Sequence, residues 1–423
     1  MAVKITRQPD KIALLGAPTS AAALSRGHER APMALRSAGI SDRLRAAGYE
    51  VTDLGDDPIQ LSEPDSDSPR ARNLPRIVKA LEALRPRVEA AVKSGALPII
   101  LTGDCTSVLA TVAGVRRYFH NVSLIYVDRD ADLNVPATTP SGCVDGMVVA
   151  HLTGRGAAEL VRFWGEPPLV RDPDIALFGV DRLDPPEEEL LRRVPIRSFP
   201  ASEVRRKGAA ATARVALERI HASRNDFILH FDVDAIDGFQ ATDYPGTGGM
   251  SLEEVREALE VIASDKHLAA MVIASYNPEK DPEGSAAQTI VELLASVLAV
   301  RRQTTAAAVP ESVAAAAGAS RAPAPGNSKG AETGSSAAPV AAGEAWSSDV
   351  LNTADIAVES SDDISNAAPD VSADSTSGIP GESSGDDSSG SAGGNESTGS
   401  AQPGESAEAH ETSESGKSEE KPT

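Results

Sequence analysis

Val122-Ser123-Leu124-Ile125-Tyr126-Val127-Asp128-Arg129-Asp130-Ala131-Asp132-Leu133-Asn134 passes from an apolar, β-type run straight into three alternating aspartates. A second stretch repeats the transition: Phe227-Ile228-Leu229-His230-Phe231-Asp232-Val233-Asp234-Ala235-Ile236-Asp237. Each apolar run reads as a buried strand. Carboxylates that begin where such a strand stops lie at the carboxyl edge of a sheet, where open α/β folds place their ligands. Residues two apart on an extended chain share a face. Asp232 and Asp234 are therefore expected to point together, as are Asp128, Asp130 and Asp132. Like charges this close either gather a cation or have their pKa values raised. The alternative is a solvated acidic loop or a pair of helix caps. It suits one Asp-x-Asp and fits poorly when two ladders both follow β-branched and aromatic strands, so a divalent metal centre is the expectation.

Working outward, strand-like runs near 12–17, 49–54, 97–102, 122–128, 175–180, 195–199, 226–233 and 268–275 alternate with helical patterns. The helices are expected near 32–47, 70–94, 105–119, 144–163, 185–193, 201–222, 251–263 and 285–302. This alternation predicts a three-layer α/β/α fold, with a parallel sheet of about eight strands covered by helices on both faces. Right-handed crossovers put every strand's carboxyl end on one edge. Gly103-Asp104-Cys105-Thr106 ends the Leu97–Leu101 run and should meet the two aspartate ladders there. Convergence of separated segments on one edge is the structural argument for an active site.

Composition divides the 423-residue chain into a folded part, 1–302, and a tail, 303–423. The tail is rich in Ala, Ser, Gly, Pro and acidic residues, with Trp346 as its one aromatic residue. From Thr304 onward it carries 20 acidic and 4 basic residues, against 62 and 40 in the whole chain, so most of the net charge of −22 resides there. Such a segment buries too little apolar surface to offset its ordering entropy and is expected to be disordered. The negative balance argues against nucleic acid and anionic membranes as partners. No run has the length of a membrane span and the amino terminus lacks a signal-peptide pattern. Two cysteines make no disulfide framework, so a reducing cytoplasm is the default location.

The ordered motifs resemble the arginase–agmatinase (ureohydrolase) family across nearly all of 11–302. Gly16-Ala17-Pro18, Arg26-Gly27 and Ala31-Pro32-Met33-Ala34-Leu35-Arg36 resemble the family's opening, that of arginases in particular. Thr102-Gly103-Asp104-Cys105-Thr106 stands where the family has Gly-Gly-Asp-His-Ser, and Val127 to Asn134 resembles Asp-Ala-His-x-Asp-x-Asn. Ser141 to Met147 resembles an element Ser-Gly-x-x-His-Gly, and the ladder ending at Asp237 resembles Ser-x-Asp-x-Asp-x-x-Asp. Gly248-Gly249-Met250-Ser251 is similar to a Gly-Gly-Leu-Thr helix opening, and Ser275-Tyr276-Asn277-Pro278 replaces Glu-Val-Asn-Pro.

The resemblance implies two divalent ions, Mn2+ by analogy, with Mg2+ open because the donors here are rich in oxygen. The implied ligands are Asp128, Asp132, Asp232 and Asp234, with Cys105 and Asp130 where the family has two histidines. Asp145 replaces the family's proton-shuttling His, and Ser275 the Glu that holds a guanidinium. Cys105 has two readings: a thiolate ligand, or a small buried thiol filling the space of an imidazole. Asp132 is the implied general acid, with Asp145 as the shuttle. Asn134, Ser141 and Asp184 are the implied contacts to an amino acid's carboxylate and amino groups. Cys143 and Tyr244 depart from the family pattern in the same region. His151 and His230, the histidines nearest the motifs, read as ordinary helix and strand residues. The expected function is metal-dependent hydrolysis of a linear amidine, with a guanidino amino acid giving urea and an amine. The alternative is a non-catalytic ureohydrolase fold that binds a ligand or regulates a partner. A homo-oligomer, trimer or hexamer, is expected by resemblance alone.

Overall fold

The computed structural model describes residues 5–307, and the acidic tail beyond lies outside the described residues. Eight strands form one sheet: β1 (Lys11–Ala17), β2 (Glu50–Asp56), β3 (Leu97–Thr102), β4 (Val122–Val127), β5 (Ile175–Phe178), β6 (Arg197–Phe199), β7 (Asp226–Asp232) and β8 (Leu268–Ala274). Their order is β2-β1-β3-β8-β7-β4-β5-β6, and every pairing is parallel. The four central strands β3, β8, β7 and β4 are buried almost throughout, which is why they read as unbroken apolar runs. The edges are blunted in two ways. β6 has three residues, and β2 is mostly exposed and polar. Arg36 clamps β2 with two hydrogen bonds to Asp53, at 2.8 and 3.0 Å.

Alternation along each strand feeds two cores. Ile99, Leu101, Ile125 and Val127 face one; Ile100, Leu124 and Tyr126 face the other. The first core is closed by α1 (Ala31–Ser37), α2 (Ile40–Ala46), α8 (Ala201–Lys207), α9 (Ala209–His221), α10 (Leu252–Ala263) and α11 (Ser285–Ala307). The second is closed by α3 (Leu74–Ser94), α4 (Ser107–Arg116), α5 (Val148–Leu152) and α6 (Ala158–Val161), with α7 (Pro185–Leu191) packed against it. This is the three-layer α/β/α arrangement predicted from the alternation. Among the described residues no helix is long and apolar enough to cross a membrane.

Three expected helices are broken. The span 32–47 divides into α1 and α2 at Gly39, whose φ is 88°, and 201–222 divides into α8 and α9 at Gly208, whose φ is 86°. Positive φ cannot continue a right-handed helix, and glycine adopts it without steric cost. In 144–163 only the short α5 and α6 survive, for the same reason at Gly154 and Gly156. The last helix runs to Ala307, past the expected boundary at 302.

Behind the site edge, β3 passes under the loop that follows β1. A Cβ on Gly103 would lie 1.8 Å from the Thr19 carbonyl oxygen and 2.7 Å from that of His28. Asp104 fastens the same loop, accepting from Thr19 Oγ1 at 2.8 Å and from the Ala22 N–H at 3.2 Å. Because the obstructing atoms are backbone, Gly103→Ala is expected to destabilise the fold by about 1–3 kcal/mol. The readout is a lower urea midpoint at unchanged slope; an unshifted midpoint would refute this account of the close approach.

Candidate metal centre and cavity

At the carboxyl edge, four strand ends and the loop after β5 surround a cavity of about 550 Å3. It is lined by Cys105 after β3, Asp128, Asp130, Asp132 and Asn134 after β4, Asp232 and Asp234 at the end of β7, and Ser275 after β8. Ser141 and Asp145 enter from the segment before α5, and Asp184 from the start of α7. Every residue named from sequence as a site candidate thus lies on this one surface. The order of the parallel strands brings them together.

The aspartates are aimed differently from the expectation of extended ladders. β4 stops at Val127, and β7 stops at Asp232, followed by a 3-10 turn over Val233–Ala235. In both, the first Asp accepts the N–H of the residue two further on: Asp128 Oδ1 from Asp130 and Asp232 Oδ1 from Asp234, each at 2.8 Å. The side chains converge because each carboxylate folds its own backbone into a turn, not because a strand continues. Asp132 and Ser275 lie at φ of 50° and 70°. Such left-handed non-glycine residues cluster at functional sites.

Burial and mutual charge dominate the electrostatics. Burial first, then the charges of Asp232 and Asp132, pushes Asp128 well above the usual carboxylate range. Asp232 is raised by burial and by Asp234, and Asp132 by burial together with Asp130 and Asp145. Asp145, raised by burial and by Asp104, accepts the Cys105 N–H at 2.7 Å. Burial and the surrounding aspartates also push the Cys105 thiol up, so without a cation it stays protonated and donates to Asp232 Oδ2 at 3.0 Å. The Ser275 hydroxyl donates to the same oxygen, and the Tyr126 hydroxyl donates to Asp132.

Two features, Arg182 and Glu187, went unread in the sequence, and a third, His230, read only as an ordinary strand residue. Arg182, on the loop after β5, donates through Nε to Asp130 Oδ1 at 2.9 Å and through Nη2 to Asp130 Oδ2 and to Asp234 Oδ2, the last at 2.9 Å. It arrives because the backbone N–H groups of Asp181 and Arg182 both donate to the Arg129 carbonyl, at 2.9 and 3.0 Å. Burial would lower the Arg182 pKa, but Asp130 and Asp234 reverse the shift. Asp130 is nevertheless pushed up to about 6 by burial and by Asp234. Glu187 holds the first ladder's exit, accepting from the Leu133 N–H at 2.8 Å and the Asp184 N–H at 2.9 Å. Its signal was the Asp184-Pro185-Pro186-Glu187 spacing of a capping box. His230 lies beneath the cavity floor, fully buried, with neither ring nitrogen hydrogen-bonded. His151, by contrast, is a satisfied helix residue, its nitrogens meeting the Met147 carbonyl at 2.7 Å and the Ala157 N–H at 3.1 Å.

Two compact sets of ligand-type atoms result, one from Cys105, Asp128, His230 and Asp232, the other from Asp128, Asp130 and Asp234. Cys143 belongs to neither; it is a free thiol facing the Arg72 guanidinium. On the substrate side, Asn134 Nδ2 donates to Asp184 Oδ2 at 2.8 Å, and its Oδ1 accepts from Thr138 Oγ1 at 2.8 Å.

A sequence profile of the Arginase family matches residues 10–300. The arginase of Brevibacillus brevis is 32% identical over 291 residues, covering 68% of this chain and 97% of that protein. The solved arginase from Bacillus caldovelox is 29% identical at a TM-score of 0.65, over 68% of this chain and 98% of that one. Proclavaminate amidino hydrolase from Streptomyces clavuligerus, 18% identical at a TM-score of 0.54 over 71% of this chain and 96% of that one, shares the fold. With the profile spanning the whole α/β domain and the curated relative aligned over nearly its full length, this chain belongs to the arginase family.

Proposed function

We propose that the cavity is a metal-dependent hydrolytic site for a linear amidine, with a guanidino amino acid as the substrate class and urea and an amine as products. The observation that carries this reading is the convergence of Asp128, Asp132, Asp232 and Asp234, from two separate strand ends, on one cavity. Their mutual repulsion is relieved by a divalent cation, and the arginase-family membership supports that chemistry. Cys105, Asp128 and Asp232 fit as ligands: each directs a donor atom into the same compact set. A bound divalent ion supplies Lewis-acid polarisation and a water ionised near neutral pH.

The chain's own residues handle the remaining protons and the binding. Asp132, whose pKa burial raises and whose carboxylate the Tyr126 hydroxyl holds in place, is positioned to act as the general acid for the leaving amine. Asp145, also raised, sits on the Cys105 backbone at the cavity wall and can relay a proton toward solvent. The Asn134–Asp184 pair and the Ser141 hydroxyl offer donors and an acceptor for the carboxylate and amino groups of an amino acid. Ser275 is tied to Asp232, so a substrate guanidinium would be held by the charge of the aspartates instead of by a dedicated carboxylate.

Metal-loaded protein presented with a panel of guanidino and amidino compounds should release urea or ammonia from at least one. Release from none, with metal demonstrably bound, would overturn the reading. Asp132→Asn is expected to lower kcat by about 100- to 10,000-fold with a small change in KM; a comparable loss confined to KM would remove Asp132 from the proton path.

The raised carboxylates also predict how the metal-free fold responds to pH. A carboxyl whose pKa is higher folded than unfolded binds more protons in the folded state, so stability falls as pH rises. The fall begins near the ordinary value of 3.8 and continues through the value of about 6 at Asp130 and beyond it for the more deeply buried groups. Chelator-treated protein should therefore melt at lower temperature at pH 8 than at pH 5.5, and added divalent cation should reverse the loss. Asp128→Asn should flatten the slope. A metal-free Tm that climbs over this interval would contradict the charge account.

A further inference from the structure

We propose that this centre is built for one divalent cation, held by Cys105, Asp128, Asp232 and an imidazole from His230, while the Arg182 guanidinium permanently takes the position of a second ion between Asp130 and Asp234. The inference deepens the hydrolytic reading and rests on it for the presence of a metal.

His230 supplies the first line of argument. It is fully buried, and neither Nδ1 nor Nε2 has a hydrogen-bond partner. A buried imidazole almost always satisfies at least one nitrogen, as His151 does in this same protein with both. The strand register explains where His230 faces. Tyr126 pairs with His230 across β4 and β7, and Asp232 is the next residue on the same face of β7. His230 therefore forms the layer directly below the first aspartates of both ladders. Its ring stacks on Tyr126, centroids 4.2 Å apart and planes within 6°, and Tyr126 is itself anchored to Asp132. The ring plane is thus fixed before any ligand arrives. The donor atoms of Cys105, Asp128, His230 and Asp232 all lie within 4.8 Å of one another. Four donors around one ion at normal bond lengths stand roughly 3.3–3.8 Å apart, so the set closes on an ion by contracting at most about 1.0–1.5 Å.

Arg182 supplies the second, independent line. Its guanidinium binds both oxygens of Asp130 and one of Asp234, two of the three carboxylates in the second ligand-type set. An arginine cannot shed its charge in a protein. A second divalent ion could enter only by breaking these hydrogen bonds and then enduring the adjacent positive charge. The imidazole missing from the position of Cys105 is replaced by His230 of β7, two strands away from β3, and the one missing from Asp130 coincides with a built-in cation.

The donor set also selects the metal. One thiolate, one imidazole and two carboxylates in a compact group suit Zn2+ or Co2+ better than the Mn2+ or Mg2+ expected from resemblance.

The test is Co2+ titration of the chelator-treated full chain, followed by calorimetry for stoichiometry and by optical and X-ray absorption for the ligands. The expected result is one Co2+ per chain, a thiolate-to-cobalt charge-transfer band, and one sulfur plus one imidazole in the ion's coordination shell. Cys105→Ser should abolish the band, His230→Ala should weaken binding at least about 10-fold, and Arg182→Gln should raise the stoichiometry to two. X-ray absorption on the unmutated protein decides the ligand set even if His230→Ala misfolds. Two ions in the unmutated protein, a shell without imidazole, or an unchanged single ion in Arg182→Gln would each overturn the proposal. One ion bound without turnover on any guanidino compound would overturn only the hydrolytic reading. Two ions with urea release would overturn only this inference, and no metal bound at all would overturn both.

Discussion

Repulsion among buried carboxylates at the carboxyl edge of a parallel sheet governs this molecule. Burial alone moves Asp128, Asp132, Asp145 and Asp232 far from their ordinary ionisation, and each one's charge raises its neighbours further. The fold has three ways to manage that load: protonation, a bound cation, or a fixed positive side chain. The first is favoured by the burial and mutual repulsion that raise Asp128, Asp132 and Asp232, and the third is visible in Arg182. The second is the functional claim.

The scaffold makes the arrangement possible because nothing about it is local. Eight parallel strands deliver their carboxyl ends to one edge, and two apolar cores on opposite faces hold those ends rigid. The turns that aim the aspartates are self-made, each first carboxylate capturing an N–H two residues on. Glu187 and Arg129 then pin the exits of the first ladder to the loop before α7. A site assembled this way is preorganised before any ligand arrives, the condition under which electrostatic stabilisation is most effective. Because the strand ends converge, donors from β3, β4 and β7 lie within 4.8 Å of one another.

Much of this was legible in the residues. Apolar runs that stop at aspartates declared both the sheet and its functional edge, because burial on both faces demands continuous hydrophobicity and the edge does not. The candidate residues from Cys105 to Ser275 all meet at one cavity for that reason. The helix breaks at Gly39 and Gly208 were less legible, since apolar periodicity passes over a single glycine whose φ is decided by packing. The ladders suggested extended strands, whereas side-chain capture of backbone N–H groups ends the strands at their first aspartate.

Sequence by itself determined the family, the order of strands and helices, and the acidic character of the site, because these follow from local pattern and from motifs contiguous in the chain. Only the tertiary structure decided which charges meet. Arg182 lies some fifty residues from each of Asp130 and Asp234, as their separations in sequence record, and no spacing rule joins them. His230 reads as a routine strand residue until the β4–β7 register sets it on Tyr126 beneath Asp232, with both nitrogens bare. Hydrogen bonding and charge depend on distance in space, and chain separation carries no information about that distance until the sheet has formed.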